Sequence, residues 1–196
     1  MGSELAVTSV AATIDSLTPA LVERARSGDR AAFEALISGR LVRLMRLATS
    51  ILLHDADAGD AVQDSCVRAW VELPQLRDPA QFDAWLWRIV INACRTSLRR
   101  RHRTAVREIA MDDSTGSLDT PEPGPGIGEN VSEVEVVRLS FARLDPDRRA
   151  ILILHHVEGR SVSEIAAVLG IPEGTAKWRL HAARQELGRA LKVERR

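Results

Sequence analysis

An all-α fold is the expectation, and three observations lead to it. The residues are 45% hydrophobic but only 4% aromatic, with no tyrosine, a mixture dominated by alanine, leucine and arginine that favours helices over sheets. Apolar positions recur at three- and four-residue steps along most of the length, as one face of a helix requires. Between about 111 and 130 that pattern stops in MDDSTGSLDTPEPGPGIGEN, a run rich in Pro, Gly, Ser and Asp. The sequence therefore predicts two small helical domains joined by a flexible acidic linker. Its divisions are a loose extension over 1–17, a first domain over 18–107, the linker over 108–131 and a second domain over 132–196.

Local signals place the elements in order. Thr18-Pro19 joins a cap to a first-turn proline and opens a short helix through Leu21, Val22 and Ala25 to Ser27-Gly28. Asp29 caps the next, a long amphipathic helix carrying Phe33, Leu36, Ile37, Leu41, Leu44, Leu47, Ala48, Ile51 and Leu52, weakened locally by Gly39. A third helix runs from about Asp55 to Leu73 and buries Ala58, Ala61, Val62, Cys66, Ala69 and Trp70. After the loop PQLRDPAQ a fourth starts near Phe82 and continues to about His102, with Phe82, Trp85, Leu86, Ile89, Val90 and Ala93 toward the core. Beyond the linker Ser132 and Glu135 form a capping box. Val134, Val137, Leu139, Phe141 and Leu144 then mark one helix, and Asp145-Pro146 opens another through Ile151, Leu152 and Leu154 to Gly159.

The C-terminal segment RSVSEIAAVLGIPEGTAKWRLHAAR, residues 160–184, reads as a helix-turn-helix. Ser161 and Glu164 make a second capping box, Ile165, Ala166, Val168 and Leu169 supply a compact apolar face, and Gly170 ends the helix. Pro172 suits the first turn of the following helix. There Ala176, Leu180, Ala183, Leu187 and Leu191 face inward, which leaves Thr175, Lys177, Trp178, Arg179, His181 and Arg184 for the other surfaces. Cations on the second helix of such a pair fit a major-groove reader, where some meet phosphates and others base edges. A packing corner with a solvated basic face is the alternative.

Two further faces lie on the first domain. Asp57, Asp60 and Asp64 share one side of the third helix at i, i+3 and i+7, with Gln63 beside them. Like charges so placed repel by tenths of a kcal/mol per close pair, roughly, so the face is a solvated one, a magnesium site or a docking surface for a basic partner. On the fourth helix Arg88, Asn92, Arg95, Arg99 and Arg103 advance in steps of four, three, four and four. Trp87 lies off the main apolar stripe, where it either stacks on unpaired bases next to these cations or covers a neighbouring helix.

Formal net charge is zero, but it is unevenly spread: seven arginines and no acid from Leu86 to Arg107, then eight acids and no Lys or Arg from Glu108 to Glu135. Partners respond to that distribution more than to its sum. Cys66 and Cys94 lie far apart without metal-ligand spacing, so reduced buried thiols in a cytoplasmic setting are expected. The N-terminus does not read as a signal peptide, and no apolar run approaches membrane-spanning length.

With these residues in place, the chain resembles the extracytoplasmic-function (ECF) class of bacterial sigma factors, the smallest promoter-recognition subunits of RNA polymerase. The resemblance rests on ERARSGDRAAFEAL at 23–36, DADAGDAVQDSCVRAW at 55–70, FDAWLWRIVINACRTSLRR at 82–100 and EGRSVSEIAAVLGIPEGTAKWRLHAAR at 158–184, in the family's order. It implies a first domain equivalent to sigma region 2 and a second equivalent to region 4. Asp57, Asp60, Gln63 and Asp64 match the segment that binds the polymerase clamp helices, and the polymerase flap is the implied partner of region 4. Arg77 and Asp78 in the loop 74–81, with Trp87, Arg88, Asn92, Arg95, Arg99 and Arg103, match the part that melts the minus-ten element and captures its single strand. Thr175, Lys177, Trp178, Arg179, His181 and Arg184 match the helix that reads the minus-thirty-five duplex.

The resemblance further implies an anti-sigma protein as restraining partner, no enzymatic activity, no cofactor, no metal and no membrane insertion. The linker is placed like a segment that threads polymerase channels built to hold RNA, which its acids suit. Departures from the family pattern fall at Cys66, where an aromatic is usual, and at Ala176 and Trp178, where the usual GTVKSR segment has valine and serine. Two competing functions are a stand-alone helix-turn-helix regulator and an all-α magnesium-dependent nucleotide hydrolase built on Asp57, Asp60 and Asp64.

Overall fold

The computed structural model describes residues 18–111 and 133–194. The extension 1–17, the linker from 112 onward and the capping box at Ser132 lie outside the described residues. Among those described there are helices and no strand.

Residues 18–26 form α1. Asp29 then caps α2 (Arg30–Ser38) by accepting the Ala32 N–H at 3.0 Å. The long helix expected across 33–52 is two helices, because Gly39-Arg40 breaks it outright before α3 (Leu41–Leu52). Gly39 removes the side chain that would favour continuation, and the Arg40 side chain turns inward. Its buried guanidinium donates to the Leu36 carbonyl at 3.0 Å, to Thr18 Oγ1 at 2.8 Å and to the Asp83 carboxylate.

At the end of α3, Leu53 adopts a left-handed conformation with φ 57°, unusual for a residue with a branched side chain. His54 follows, and its Nδ1 accepts the Asp57 N–H at 3.4 Å to open α4 (Asp55–Glu72). Two single 3-10 turns, Leu73–Gln75 and Pro79–Gln81, lead into α5 (Phe82–Met111). This helix passes the expected end near His102 by nine residues. Residues 103–111, RTAVREIAM, contain no glycine or proline and several strong helix formers, so nothing local stops it.

The second half comprises α6 (Glu133–Ala142), α7 (Pro146–His156), α8 (Val162–Leu169) and α9 (Glu173–Glu194). Val136, Ser140 and Leu144 take the inner face of α6 and its exit, whereas Val137, grouped by sequence with the apolar positions, is exposed. Asp145 caps α7 through the Arg148 N–H at 2.9 Å. Both arms of the second capping box are present, Glu164 N–H to Ser161 Oγ at 3.2 Å and Ser161 N–H to the Glu164 carboxylate at 2.8 Å. Those bonds hold the Glu164 carboxyl below the usual range. Gly170 ends α8 at φ 66°.

Within the first half α3, α4 and α5 pack on one another; within the second α9 gathers α6, α7 and α8. The halves also touch directly, α3 on α7 and α5 on α8, and share one apolar cluster that includes Leu47, Ile51, Trp87, Ile151, Leu154 and Ile165. Two helical domains are present as expected, but more than a tether joins them. Cys94 is buried and its thiol is pushed up to about 12 by desolvation, which makes it unreactive. Cys66 is half-buried, its thiol raised by the same cause.

Candidate polymerase and nucleic-acid interfaces

On α4 the helical period brings Asp57, Asp60 and Asp64 to one side, as the spacing requires, with Gln63 exposed beside them. They line one wall of a groove of about 710 Å3, and the facing wall is α5 through Ala93, Thr96, Ser97, Arg100, Arg101 and Thr104. Asp57 is committed to this fold: it accepts from Arg101 at 2.9 Å and has His54 at 3.8 Å. Asp60 and Asp64 remain exposed. The same side continues through Val67 and Val71, which are 63% and 66% exposed. Residues 57, 60, 64, 67 and 71 thus form one stripe, acidic at the start and apolar at the end. Sequence reasoning stopped at the acids, although the same three- and four-residue steps lead straight to the valines.

The loop between the 3-10 turns holds Arg77 and Asp78, both exposed. Asp78 is also structural, since its Oδ1 accepts the Ala80 N–H at 3.0 Å and caps the second turn. Along α5, Arg88, Asn92, Arg99 and Arg103 are exposed and Arg95 is half-buried. Trp87 departs from the expectation of an aromatic plane presented to bases. It is 2% exposed, with the guanidiniums of Arg43 at 5.3 Å and Arg160 at 4.9 Å from the ring centroid. Cations do surround it, but α5 is covered on this side by the second half of the chain. One-helix periodicity could not register that cover, because it comes from residues far along the sequence.

Arg88 and Arg95 of the stripe are also engaged by the second half, whereas Arg103 bonds within α5. Arg88 donates to the Ala167 carbonyl at 2.7 Å and Arg95 to Asp147 Oδ1 at 3.0 Å, with Asn92 Oδ1 3.4 Å from the same guanidinium. Arg103 donates to the Arg99 carbonyl at 3.4 Å.

The helix-turn-helix is formed by α8 and α9 crossing through the turn Gly170-Ile171-Pro172. Pro172 sits immediately before α9, and its carbonyl accepts the Ala176 N–H at 3.0 Å. Ala176, Leu180 and Ala183 are buried, Lys177, His181 and Arg184 are exposed, and Thr175 and Arg179 are half-buried. Trp178 is 65% exposed at the outer face of the helix. Arg184 Nε donates to His156 Nε2 at 3.0 Å. Burial first, then the charges of Arg184 and His155, push the His156 imidazole below its ordinary value, which favours the neutral form that can accept that bond.

Residues 36–104 match the family described as Sigma-70 region 2, and residues 135–187 match Sigma-70, region 4. The chain is a member of the ECF sigma-70 family. It is 33% identical over 168 residues to the ECF RNA polymerase sigma factor SigM of Mycobacterium tuberculosis, covering 84% of this chain and 80% of that one. To the RNA polymerase sigma factor CnrH of Cupriavidus metallidurans it is 30% identical over 180 residues, covering 89% and 94%. Among solved structures, CnrH in complex with the cytosolic domain of CnrY superposes with a TM-score of 0.64 at 28% identity, over 90% of this sigma factor and 97% of that chain. The sigma factor RpoE in complex with the anti-sigma factor NepR from Bartonella quintana gives 0.65 at 25% identity, over 82% and 97%. This membership favours the sigma reading over both the stand-alone regulator and the hydrolase. No helix among the described residues is long and apolar enough to cross a membrane.

Proposed function

We propose that this ECF sigma factor gives core RNA polymerase its promoter specificity through three separate surfaces, while the polymerase itself performs the chemistry in the cytoplasm. Asp60, Gln63 and Asp64 on α4, extended by Val67 and Val71, dock on the clamp helices, with Asp57 fixing the groove through Arg101. Arg77 and Asp78 and the α5 residues Trp87, Arg88, Asn92, Arg95, Arg99 and Arg103 receive the single strand of the minus-ten element. On α9, Thr175, Lys177, Trp178, Arg179, His181 and Arg184 read the minus-thirty-five duplex, with region 4 bound to the flap. An anti-sigma protein holds the factor inactive, as the complexes of its structural relatives suggest.

The observation that carries this reading is the order of the two matched regions in one chain, with exposed acids on the region 2 helix α4 and exposed cations on the region 4 helix α9. It is tested by run-off transcription on genomic fragments with purified core polymerase. Discrete transcripts should appear only when core and this chain are both present. Tight duplex binding by the chain alone, with no transcripts, would support the stand-alone regulator instead.

A further inference from the structure

The indole of Trp178 on α9 has no partner in the fold. It is 65% exposed, and among the described residues its ring meets no cation or second ring and its N–H no acceptor. Successive residues of a helix turn by about 100°. Position 178, two residues past buried Ala176 and two before buried Leu180, therefore points away from the core of region 4. One turn before it stands Gly174, where an added Cβ would meet no neighbouring atom within 4 Å, and one turn after it Ala182. The indole rises as a single ridge between two small residues.

Its sequence neighbours lie about 100° to either side: Lys177 is exposed, and Arg179 is half-buried, 3.9 Å from Asp147. Together with Arg179 the ring borders the carboxylates of Asp145 and Asp147. Those acids, and the negative face of the ring itself, disfavour a phosphate against the indole. A helix laid in a major groove with Trp178 toward the floor puts Lys177 and Arg179 against the phosphate walls and the indole against base edges. Those edges offer hydrogen-bond donors and acceptors and a single apolar group, the C5-methyl of thymine. An indole has one donor, no acceptor and a large apolar surface, so the methyl is the group it gains most by covering.

We infer that Trp178 is a specificity-determining residue of α9, whose indole covers the C5-methyl of a thymine in the minus-thirty-five duplex. The inference rests on the proposed role of α9 and adds which chemical group of the duplex is read. It is a property of this chain, because the serine usual at this place in the family segment has no comparable apolar surface.

The test uses holoenzyme assembled from core polymerase and the full chain, on a promoter library randomised across the minus-thirty-five element. Bound duplexes are selected and sequenced for the unaltered chain, Trp178→Ser, Trp178→Phe and Lys177→Ala. Each thymine that the unaltered chain selects is then replaced singly by deoxyuridine, which lacks only the C5-methyl. Loss of one buried methyl should weaken the complex about fourfold.

The unaltered chain is expected to select thymine within the element and to lose that factor with deoxyuridine at the position read by the indole. Trp178→Ser should bind the two duplexes alike and select no thymine there, whereas Trp178→Phe, which keeps an apolar ring, should retain part of the preference. Lys177→Ala should weaken binding to all sequences evenly, with the thymine preference intact. Position 178 is exposed and unpaired, so the variants fold as the unaltered chain does, which circular dichroism verifies. Unchanged thymine selection by Trp178→Ser overturns the inference. A preference lost in Trp178→Ser but indifferent to deoxyuridine overturns it too, since the indole then acts through its N–H. A flat profile with the unaltered chain, in holoenzyme that still initiates, overturns the minus-thirty-five role of α9 and the inference with it.

Discussion

His156 ties a pH-dependent group to a proposed reading residue. Its imidazole accepts from Arg184 only when neutral, and its pKa lies below the ordinary 6.5 because of burial first, then Arg184 and His155. A histidine whose folded value is depressed contributes stability that is complete above the unfolded value and is lost as pH falls from 6.5 through the folded value. Arg184→Ala removes one of the two opposing charges, so it should raise the His156 titration midpoint toward 6.5 in a two-dimensional NMR titration. An unmoved midpoint would mean that the pair does not persist in solution. The α9 cation was legible in the sequence at Arg184, but its partner on α7 was not, because 28 residues separate them. Trp87 shows the same boundary: sequence puts it off the apolar stripe, whereas it is buried in the apolar cluster, under Arg43 of α3 and Arg160 before α8.

Elements follow local chemistry wherever a cap or an uninterrupted period decides them. Asp29, Asp145 and the Ser161–Glu164 box sit where sequence places them, and on α4 Ala58, Ala61, Val62 and Ala69 are buried as expected, whereas Ser65 is buried unexpectedly and Cys66 and Trp70 are only half-buried. The failures were the break at Arg40, which depends on acceptors at Thr18 and Asp83, and the length of α5, for which the sequence offers no stop signal. Neither affects the face of α4, so a prediction can be made for that element alone. Asp60 and Asp64 are exposed, and among the described residues neither forms an ion pair, so Asp60→Lys with Asp64→Lys leaves the packing of α4 on α5 intact. Core-polymerase affinity should fall more than about tenfold, since like charges opposed across an interface cost several kcal/mol. Size-exclusion binding with purified core, alongside a thermal melt matching the unaltered chain, measures this. Retained binding would rule the acids out as the docking contact.

For the whole molecule the decisive feature is how its cations are divided. Arg88 and Arg95 on α5 are engaged by region 4, whereas Arg99 and Arg103 on the same helix are exposed and, among the described residues, joined to it by no ion pair or hydrogen bond. Composition and spacing make all four look equivalent, because a sequence displays the stripe but not which anions fold back on it. Salt dependence can separate them, since each phosphate contact on a single strand contributes about 0.7 to the slope of log affinity against log salt. In the isolated chain Arg99→Ala with Arg103→Ala should therefore reduce that slope by up to about 1.4, twice the single-contact value. Arg88→Ala with Arg95→Ala should leave it nearly unchanged, because those guanidiniums are already occupied. On a promoter bound by polymerase, where the two regions must reach elements far apart on the DNA, both pairs should flatten the salt dependence of strand opening. Oligonucleotide anisotropy between about 50 and 200 mM salt, repeated with assembled polymerase, makes the comparison. Equal slope changes for the two pairs in the isolated chain would show that all four arginines are available to DNA before polymerase binds.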